Sequence, residues 1–189
     1  VAKKICNFLK KFLTQAGIIR RIDDLGRVVV PKEIRRTLKI REGDPLEIFT
    51  DREGEIVLKK YSPIGEIREF AVQYTESLGT YINHAVIMSD RDIVVAATSF
   101  GRELIDKNLS KEFEDILENR MLVRENTKGI RITDNDEKRC NKVIKPIICE
   151  GDVIGGIALM AGGEDIRISD EDVKLIEVAA HFIGRQMEA

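Results

Sequence analysis

Residues 25–36 read LGRVVVPKEIRR, and this stretch decides the fold of the first part of the chain. The three valines at 28–30 are typical of a buried strand. Pro31 ends that strand because it has no amide proton, and the first turn of a helix tolerates it. The charged residues that follow predict a short helix that displays Arg35 and Arg36 away from its apolar face.

The flanking residues predict further short elements. GIIRRID, residues 17–23, predicts a strand, and DDLG predicts a turn in which Gly26 takes a positive φ. PLEIFTD and EIVLKK predict two strands joined at DREG, which is a hairpin signal. A unit this small buries little apolar surface and leaves strand edges open, so we expect it to pair with a second copy of itself.

Composition indicates a folded, two-part chain. The 189 residues are 43% hydrophobic and 34% charged, and no apolar run approaches the ~20 residues of a membrane span. Three cysteines without tight spacing fit a reducing cytosol, so we expect a cytoplasmic protein. Residues 1–63 carry a net charge of +6 and the remainder carries −8. This asymmetry indicates two domains with different partners.

The sequence YSPIGE at 61–66 marks the best domain boundary, because Pro63 permits a helix after it. We expect an α+β chain whose second domain is an α/β domain with a central antiparallel sheet. The elements predicted in that domain are two strands around a turn in 84–98, a helix over 101–120, a strand at GIRI (129–132), two strands joined at EGD in 142–161, and a closing amphipathic helix over 169–187. The predicted parts are an N-terminal extension (1–16), a head (17–62), a linker helix (63–80) and a second domain (81–189). The extension is an amphipathic arm, an artefact of an early translation start or a frayed terminus, and the last two are favoured.

The stretch from 17 to 64 resembles the AbrB-type swapped-hairpin DNA-binding domain of bacterial transition-state regulators, through DLGRVVVPKEIRRTL and GDPLEIF. The region after it resembles a GAF domain, used for sensing and oligomerisation, in the order of its elements. The pair resembles the two-domain sporulation regulators of spore-forming bacteria. The resemblance implies a dimer whose head hairpins interleave into a small β-barrel. It also implies a tetramer in which the second domains pair through helices.

The resemblance further implies that double-stranded DNA is the partner and that arginines of the head contact it. The residues carried over are Arg20, Arg27, Arg35 and Arg36, with Arg21 and Lys32 assisting. Arginine suits this role because its planar guanidinium grips phosphate or a guanine edge at two points. The alternative is a solvated surface on which acids such as Asp23, Asp24 and Glu33 pair with these bases.

A GAF-like domain usually has a ligand pocket between its sheet and the helical segment above it, here about residues 99–121. The candidate lining residues are Phe100, Arg102, Met121 and Arg124. The alternative is that each is an ordinary packing or surface residue. The resemblance allows a small-molecule effector, and no sequence pattern predicts a cofactor.

Several motifs are similar to those of enzymes, but their positions in this sequence do not support an enzymatic function. GGEDI at 162–166 is similar to a diguanylate cyclase signature, yet it precedes the last helix and predicts a loop. Cys140 and Cys149 lie far from a third cysteine, and a buried or incidental thiol is expected. His84 and His181 are isolated, so no metal site is predicted. We therefore expect a protein that is not an enzyme.

The leading hypothesis is a nucleoid-associated transcription regulator of sporulation genes, acting as an activator or a repressor. A second hypothesis is an AbrB-type antitoxin that binds a toxin and regulates its own operon. A third is a small-molecule enzyme on a GAF scaffold, for which turnover of free methionine sulfoxide through Cys140 or Cys149 would be the sign.

Overall fold

The computed structural model describes residues 18–52, 54–125 and 130–188. The extension predicted at residues 1–16 lies outside the described residues. The chain divides into two compact units, residues 1–60 and 61–189. For the described residues, no helix is long and apolar enough to cross a membrane.

The first unit holds the predicted head, whose described residues form a short helix and a β-hairpin. Its elements are α1 (Lys32–Thr37), β1 (Leu46–Thr50) and β2 (Ile56–Lys60). The strands are antiparallel, and their pairing runs from Leu46 opposite Lys60 to Thr50 opposite Ile56. Gly54 has a φ of 83° in the connecting turn, as a tight hairpin turn requires. The predicted helix and hairpin are therefore confirmed.

Residues 18–31, which are the described residues before α1, form no strand in the single chain. The strands predicted over 17–23 and 27–30 are wrong for the described residues, although the turn between them is present and Gly26 has a φ of 76°. A strand needs a neighbouring strand to bond its backbone, and the described residues of this chain offer none here. The side chains that should be buried are open instead, because Ile19 is 91% exposed and Val29 is 72% exposed.

The second unit is a five-stranded antiparallel sheet with helices on both faces. The elements are α2 (Pro63–Glu66), α3 (Arg68–Tyr81), β3 (Ala85–Ser89), β4 (Val94–Ala97), a 3-10 helix (Ser99–Leu104), α4 (Lys111–Asn119), β5 (Val123–Glu125), β6 (Lys142–Cys149), β7 (Asp152–Met160) and α5 (Asp170–Gln186). The strand order in the sheet is β4-β3-β7-β6-β5.

Helices α3 and α5 lie side by side on one face of the sheet, where the Tyr74 and Phe182 rings stack 5.6 Å apart. Helix α4 covers the opposite face. Neighbouring residues of a strand face opposite sides, and two adjacent glycines of β7 show this. A Cβ on Gly155 would lie 2.6 Å from the Ile64 side chain of α2, and one on Gly156 would lie 2.7 Å from Leu117 of α4. Both glycines therefore permit close packing.

Serine caps fix the starts of α4 and α5. Ser110 accepts a hydrogen bond from the Phe113 amide, and Ser169 accepts one from the Asp172 amide. The predicted hairpin of β3 and β4, the hairpin of β6 and β7, and the closing helix are all confirmed.

Three details of the second unit differ from the sequence expectation. The helix predicted over 101–120 is two elements, because Ile105 to Ser110 is extended or turn and only the ends are helical. The strand predicted at GIRI (129–132) is absent from its described residues, 130–132, and the adjoining Thr133 makes an isolated bridge to Leu109. Strand β5 was not predicted, since three residues are too few to show alternation.

Residues 63–80, expected to form one linker helix, are two helices separated at Ile67. Both belong to the second unit, and α3 packs against β3 and β4. Ser62 caps α2 by accepting the Gly65 amide, and its hydroxyl also donates to the Asp90 carboxylate.

Candidate nucleic-acid interface

The six basic side chains of the head that were predicted to bind DNA are all exposed to solvent. The predicted DNA-binding residues are Arg20, Arg21, Arg27, Lys32, Arg35 and Arg36. Within the part of the chain that the structure describes, Arg27 alone of the six has a hydrogen-bonded acidic partner. The other five side chains can therefore bind an external anion. The alternative, that acids of the head pair with these bases, applies to Arg27 only.

Helix α1 is built so that its arginine side chains leave the protein. The buried Pro31 precedes the helix, and its carbonyl accepts the Arg35 amide at 3.0 Å. The helix ends with Lys39 in the left-handed region at a φ of 52°. The Ile40 amide then bonds the Arg35 carbonyl at 2.8 Å, and the Lys39 amide bonds the Arg36 carbonyl at 3.4 Å. This is a Schellman C-cap, which satisfies both backbone carbonyls and leaves the two guanidinium groups exposed.

The turn before α1 is closed by one carboxylate. Asp23 Oδ1 accepts the Leu25 amide at 3.1 Å and the Arg27 amide at 2.7 Å. Asp23 Oδ2 accepts the Arg27 Nε at 2.8 Å. The Asp23 amide donates to the Arg27 carbonyl at 3.0 Å, which closes the loop through the backbone as well. We call residues 23–27 the aspartate loop.

A partly buried ion pair attaches the hairpin to the segment after α1. Lys60 Nζ lies 3.2 Å from Asp44 Oδ2, and the two side chains are 18% and 1% exposed. The same lysine donates to the Lys39 carbonyl at 3.2 Å, and Asp44 accepts the Arg41 amide at 2.8 Å. Sequence reasoning missed this contact, because nothing in the separation of residues 44 and 60 signals it.

Two of the four candidate pocket residues lie on the 3-10 helix that follows β4. Phe100 is 37% exposed, and Lys138 Nζ lies 4.9 Å from its ring centroid. Arg102 Nη2 lies 3.5 Å from Glu76 Oε1 of α3, at the surface. Phe100 therefore contacts the loop before β6, and Arg102 contacts a helix on the outside of the unit.

The other two candidates lie at and beyond the end of α4. Arg124 of β5 pairs with Asp170 at 2.6 Å and also bonds the Ile168 carbonyl, so it ties the sheet edge to the start of α5. Met121 is 69% exposed. Among the described contacts, none joins these four residues to one another, and their role as a pocket stays a prediction.

A separate groove lies between β6 and α5. Its volume is 480 Å³, and Lys145 Nζ lies 3.4 Å from Glu177 Oε1 at its wall. The lining residues are Lys145, Pro146, Ile148, Glu177, Val178, Ala180 and His181. Sequence reasoning missed this groove, because it depends on how the last helix crosses the sheet.

The thiols are poorly suited to nucleophilic chemistry. Burial raises the pKa of Cys140 above its ordinary value, so the neutral thiol is favoured. Burial, with Glu150 as the next cause, also raises the pKa of Cys149. GGEDI forms a turn before α5. Among the described residues, no group of three or more His, Cys, Asp or Glu side chains could hold a metal ion.

Comparison with known proteins assigns the chain to a family. Residues 66–188 match the family model for the stage V sporulation protein T C-terminal domain, a transcription factor. The chain is 45% identical to stage V sporulation protein T of Bacillus subtilis over 175 residues, which cover 91% of this chain and 97% of that protein. The chain belongs to the stage V sporulation protein T family. The resemblance to two-domain sporulation regulators is thereby confirmed.

The head has relatives of its own. It is 58% identical to the transition state regulatory protein AbrB of Bacillus subtilis over 52 residues, which cover 28% of this chain and 53% of AbrB. Residues 19–66 also match the family model for the bacterial antitoxin MazE. The antitoxin hypothesis is not favoured, because the longer match, over the second unit, is to the transcription factor of the stage V sporulation protein T family.

The second unit has the GAF fold. The chain superimposes on the GAF domain of an Acinetobacter phosphoenolpyruvate-protein phosphotransferase with a TM-score of 0.53 at 8% identity, covering 68% of this chain and 84% of that one. It superimposes equally well on a free methionine-R-sulfoxide reductase from Thermoplasma acidophilum, with a TM-score of 0.53 at 12% identity, covering 66% and 94%. These likenesses show the fold alone. The predicted α+β class, with an AbrB-type head and a GAF-like domain around an antiparallel sheet, is confirmed.

Proposed function

We propose that the chain is a transcription regulator of sporulation genes that binds duplex DNA through paired heads. The observation that carries the proposal is the set of exposed basic side chains without acidic partners among the described residues. They are Arg20, Arg21, Lys32, Arg35 and Arg36. Family membership supports the same function. Cations held open in this way gain most of their binding free energy from phosphates, through release of counterions.

Pairing of two heads is part of the proposal because a single head leaves its apolar side chains in water. Exposed fractions of 51–91% are found for Ile19, Ile22, Leu25, Val28, Val29, Ile48 and Ile56. Isolated exposed residues are ordinary, but a cluster in so short a segment indicates a missing partner. A second copy supplies both the apolar cover and the strand edges that residues 18–30 lack, and a swapped-hairpin barrel is the arrangement we propose.

The second unit is proposed to join head pairs into a tetramer and to receive an effector. Helix α5 leaves Leu175 42%, Val178 67% and Phe182 41% exposed, which suits pairing through helices. An effector changes DNA affinity only if it favours one arrangement of the heads over another. A rise in the melting temperature of the full chain with one class of metabolite is the result that supports sensing.

We also propose that the protein is not an enzyme and that it works in the cytoplasm on the nucleoid. The raised pKa of both described thiols argues against a sulfoxide reductase on this scaffold. Turnover of free methionine sulfoxide that depends on Cys140 or Cys149 would overturn this part of the proposal.

The DNA-binding proposal is tested by replacing Arg35 and Arg36 together with alanine in the full chain. The matched control replaces Arg167 and Lys174, two exposed bases of the second unit. Binding to duplex DNA is measured as a function of salt concentration. We expect the log–log slope to become shallower by about 0.9 for each phosphate that the head variant no longer neutralises, and the control to keep its slope. An unchanged slope in a folded head variant would remove these two arginines from the interface.

A further inference from the structure

The aspartate loop places a carboxylate in the middle of the proposed DNA-binding surface. Asp23 is flanked in sequence by Arg20, Arg21 and Arg27. A negative charge beside phosphates is repelled by them, so a surface evolved only for electrostatic attraction would have no acid here. The same carboxylate makes three hydrogen bonds, two to backbone amides of the loop and one to the Arg27 Nε.

These bonds fix both the backbone of the loop and the side chain that it carries. Arg27 is held at its Nε, which leaves the two Nη groups without a partner among the described residues. The side chain is still 69% exposed. A guanidinium gripped on one edge presents its other edge in a set direction, which is the geometry that a two-point contact with guanine or phosphate needs.

We propose that Asp23 is a positioning residue for DNA recognition, which orients Arg27 and thereby raises the preference of the head for its own site over other duplexes. This inference rests on the proposed DNA-binding function. Asp23 need not touch DNA, and it acts through the direction in which it holds Arg27. An immobilised arginine loses less conformational entropy on binding than a free one. Only a contact made in the orientation set by Asp23 therefore gains binding free energy.

The Asp23 carboxyl is ionised at neutral pH. The Arg27 amide, followed by the Arg27 guanidinium, holds the pKa of this carboxyl below its ordinary value of 3.8. The carboxylate is therefore ionised wherever DNA binding is measured, and its grip on Nε does not depend on pH near neutrality.

The neighbouring Asp24 provides a matched control. It is exposed, carries the same charge one position away, and makes no hydrogen bond or ion pair among the described residues. Asp23→Asn and Asp24→Asn therefore remove the same charge from the same surface. Asparagine at 23 can still accept the two amide bonds through its side-chain oxygen, so the loop can fold, but its NH₂ group cannot accept from the Arg27 Nε.

The test compares affinities of the full chain for two duplexes. One is a sequence enriched from a random library by the unaltered protein, and the other is a shuffled duplex of the same composition. We expect Asp24→Asn to bind both duplexes as tightly as the unaltered chain or more tightly. We expect Asp23→Asn to lower the ratio of enriched to shuffled affinity about tenfold, as for one misplaced two-point contact.

A double-mutant cycle with Arg27→Ala separates positioning from a general loss of structure. If Asp23 acts through Arg27, the Asp23→Asn change has no further effect on the ratio once Arg27 is alanine. Equal ratios for Asp23→Asn and Asp24→Asn would overturn the inference while DNA binding itself stands. The inference would also be overturned if adding Asp23→Asn to Arg27→Ala lowered the ratio by a further factor of about ten, as it does in the unaltered chain. Failure of the unaltered chain to bind any duplex would overturn the proposed function, and the inference with it.

Discussion

Lys142 is the least expected single residue of the second unit, because its side chain is fully buried. Its Nζ lies 2.9 Å from Asp136 Oδ2, and that carboxylate is 1% exposed. The lysine also donates to the Lys138 carbonyl at 2.9 Å, and Asp136 accepts the amides of Ile132 and Lys138, each at 3.1 Å. The pair thus holds the loop before β6 against the sheet, and each charge depends on the other for its solvation.

Removal of one partner from this pair should be costly. We expect Lys142→Met to lower the free energy of unfolding of the second unit by about 3–5 kcal/mol, since it leaves a buried carboxylate without its cation. Lys142→Met combined with Asp136→Asn should recover part of that loss. All three tyrosines of the chain lie at positions 61–81 and there is no tryptophan, so tyrosine fluorescence during urea unfolding reports on this unit alone.

The control for this prediction is an exposed pair in the same unit. Lys111 Nζ lies 2.7 Å from Asp115 Oδ1, and the side chains are 70% and 54% exposed. Lys111→Met should leave the stability of the unit nearly unchanged, because water solvates both charges. Similar losses from Lys142→Met and Lys111→Met would mean that burial does not set the strength of the Lys142 pair.

At the scale of elements, the packing of α5 on β6 depends on one glycine. A Cβ on Gly184 would lie 2.1 Å from the Ile148 carbonyl oxygen, which is backbone and cannot swing away. The helix therefore approaches the strand more closely than any residue with a side chain would allow. This approach brings Phe182 of α5 onto the Tyr74 ring of α3.

Two opposing effects are expected from Gly184→Ala. Alanine favours a helix over glycine by about 1 kcal/mol. The collision with Ile148 should cost about 1–3 kcal/mol through displacement of the helix, and we expect it to prevail. Tyrosine-monitored urea unfolding measures the balance. Gly162→Ala is the control, because the nearest atom to its new Cβ lies at 3.7 Å. A more stable Gly184→Ala variant would show that α5 has room to move.

The sequence predicted elements best where their partners are close along the chain. The β6–β7 hairpin and α5 with its Ser169 cap follow from local alternation, helical spacing and capping chemistry. β-Branched residues predict the 17–23 strand, but that strand requires an edge that the described residues of a single chain do not provide. The Lys142–Asp136 pair and the groove at Ile148 depend on tertiary contacts that no local pattern reveals. At the site, residue types indicated the exposed arginines, while the grip of Asp23 on Arg27 needed coordinates.

At the scale of the whole molecule, the two units differ in how much of their own apolar surface they bury. The second unit has an apolar core that spans both faces of its sheet. Of the residues described in the head, Pro31 alone is buried by relative exposure. Stability of the head is therefore expected to come from association rather than from its own core.

A charge placed on the apolar surface of the head tests this expectation. Ile48 of β1 is 69% exposed, and we expect Ile48→Glu to lower the molar mass of the full chain in light scattering and to abolish binding to duplex DNA. The control is Ile166→Glu, an isoleucine of the second unit that is 48% exposed. Tyrosine-monitored unfolding should be the same for the Ile48 variant and the unaltered chain. Retained mass and retained DNA binding in Ile48→Glu would contradict pairing through this surface.

The exposed valines and isoleucines of the head make function depend on the amount of protein that is synthesised. When a regulator can grip its promoter only as a pair, and the pairs come apart at low abundance, occupancy grows with the square of the amount synthesised. A cell that makes half as much of this chain would then occupy its target sites about a quarter as often. A doubling of synthesis would raise occupancy about fourfold, so the amount produced would set the timing.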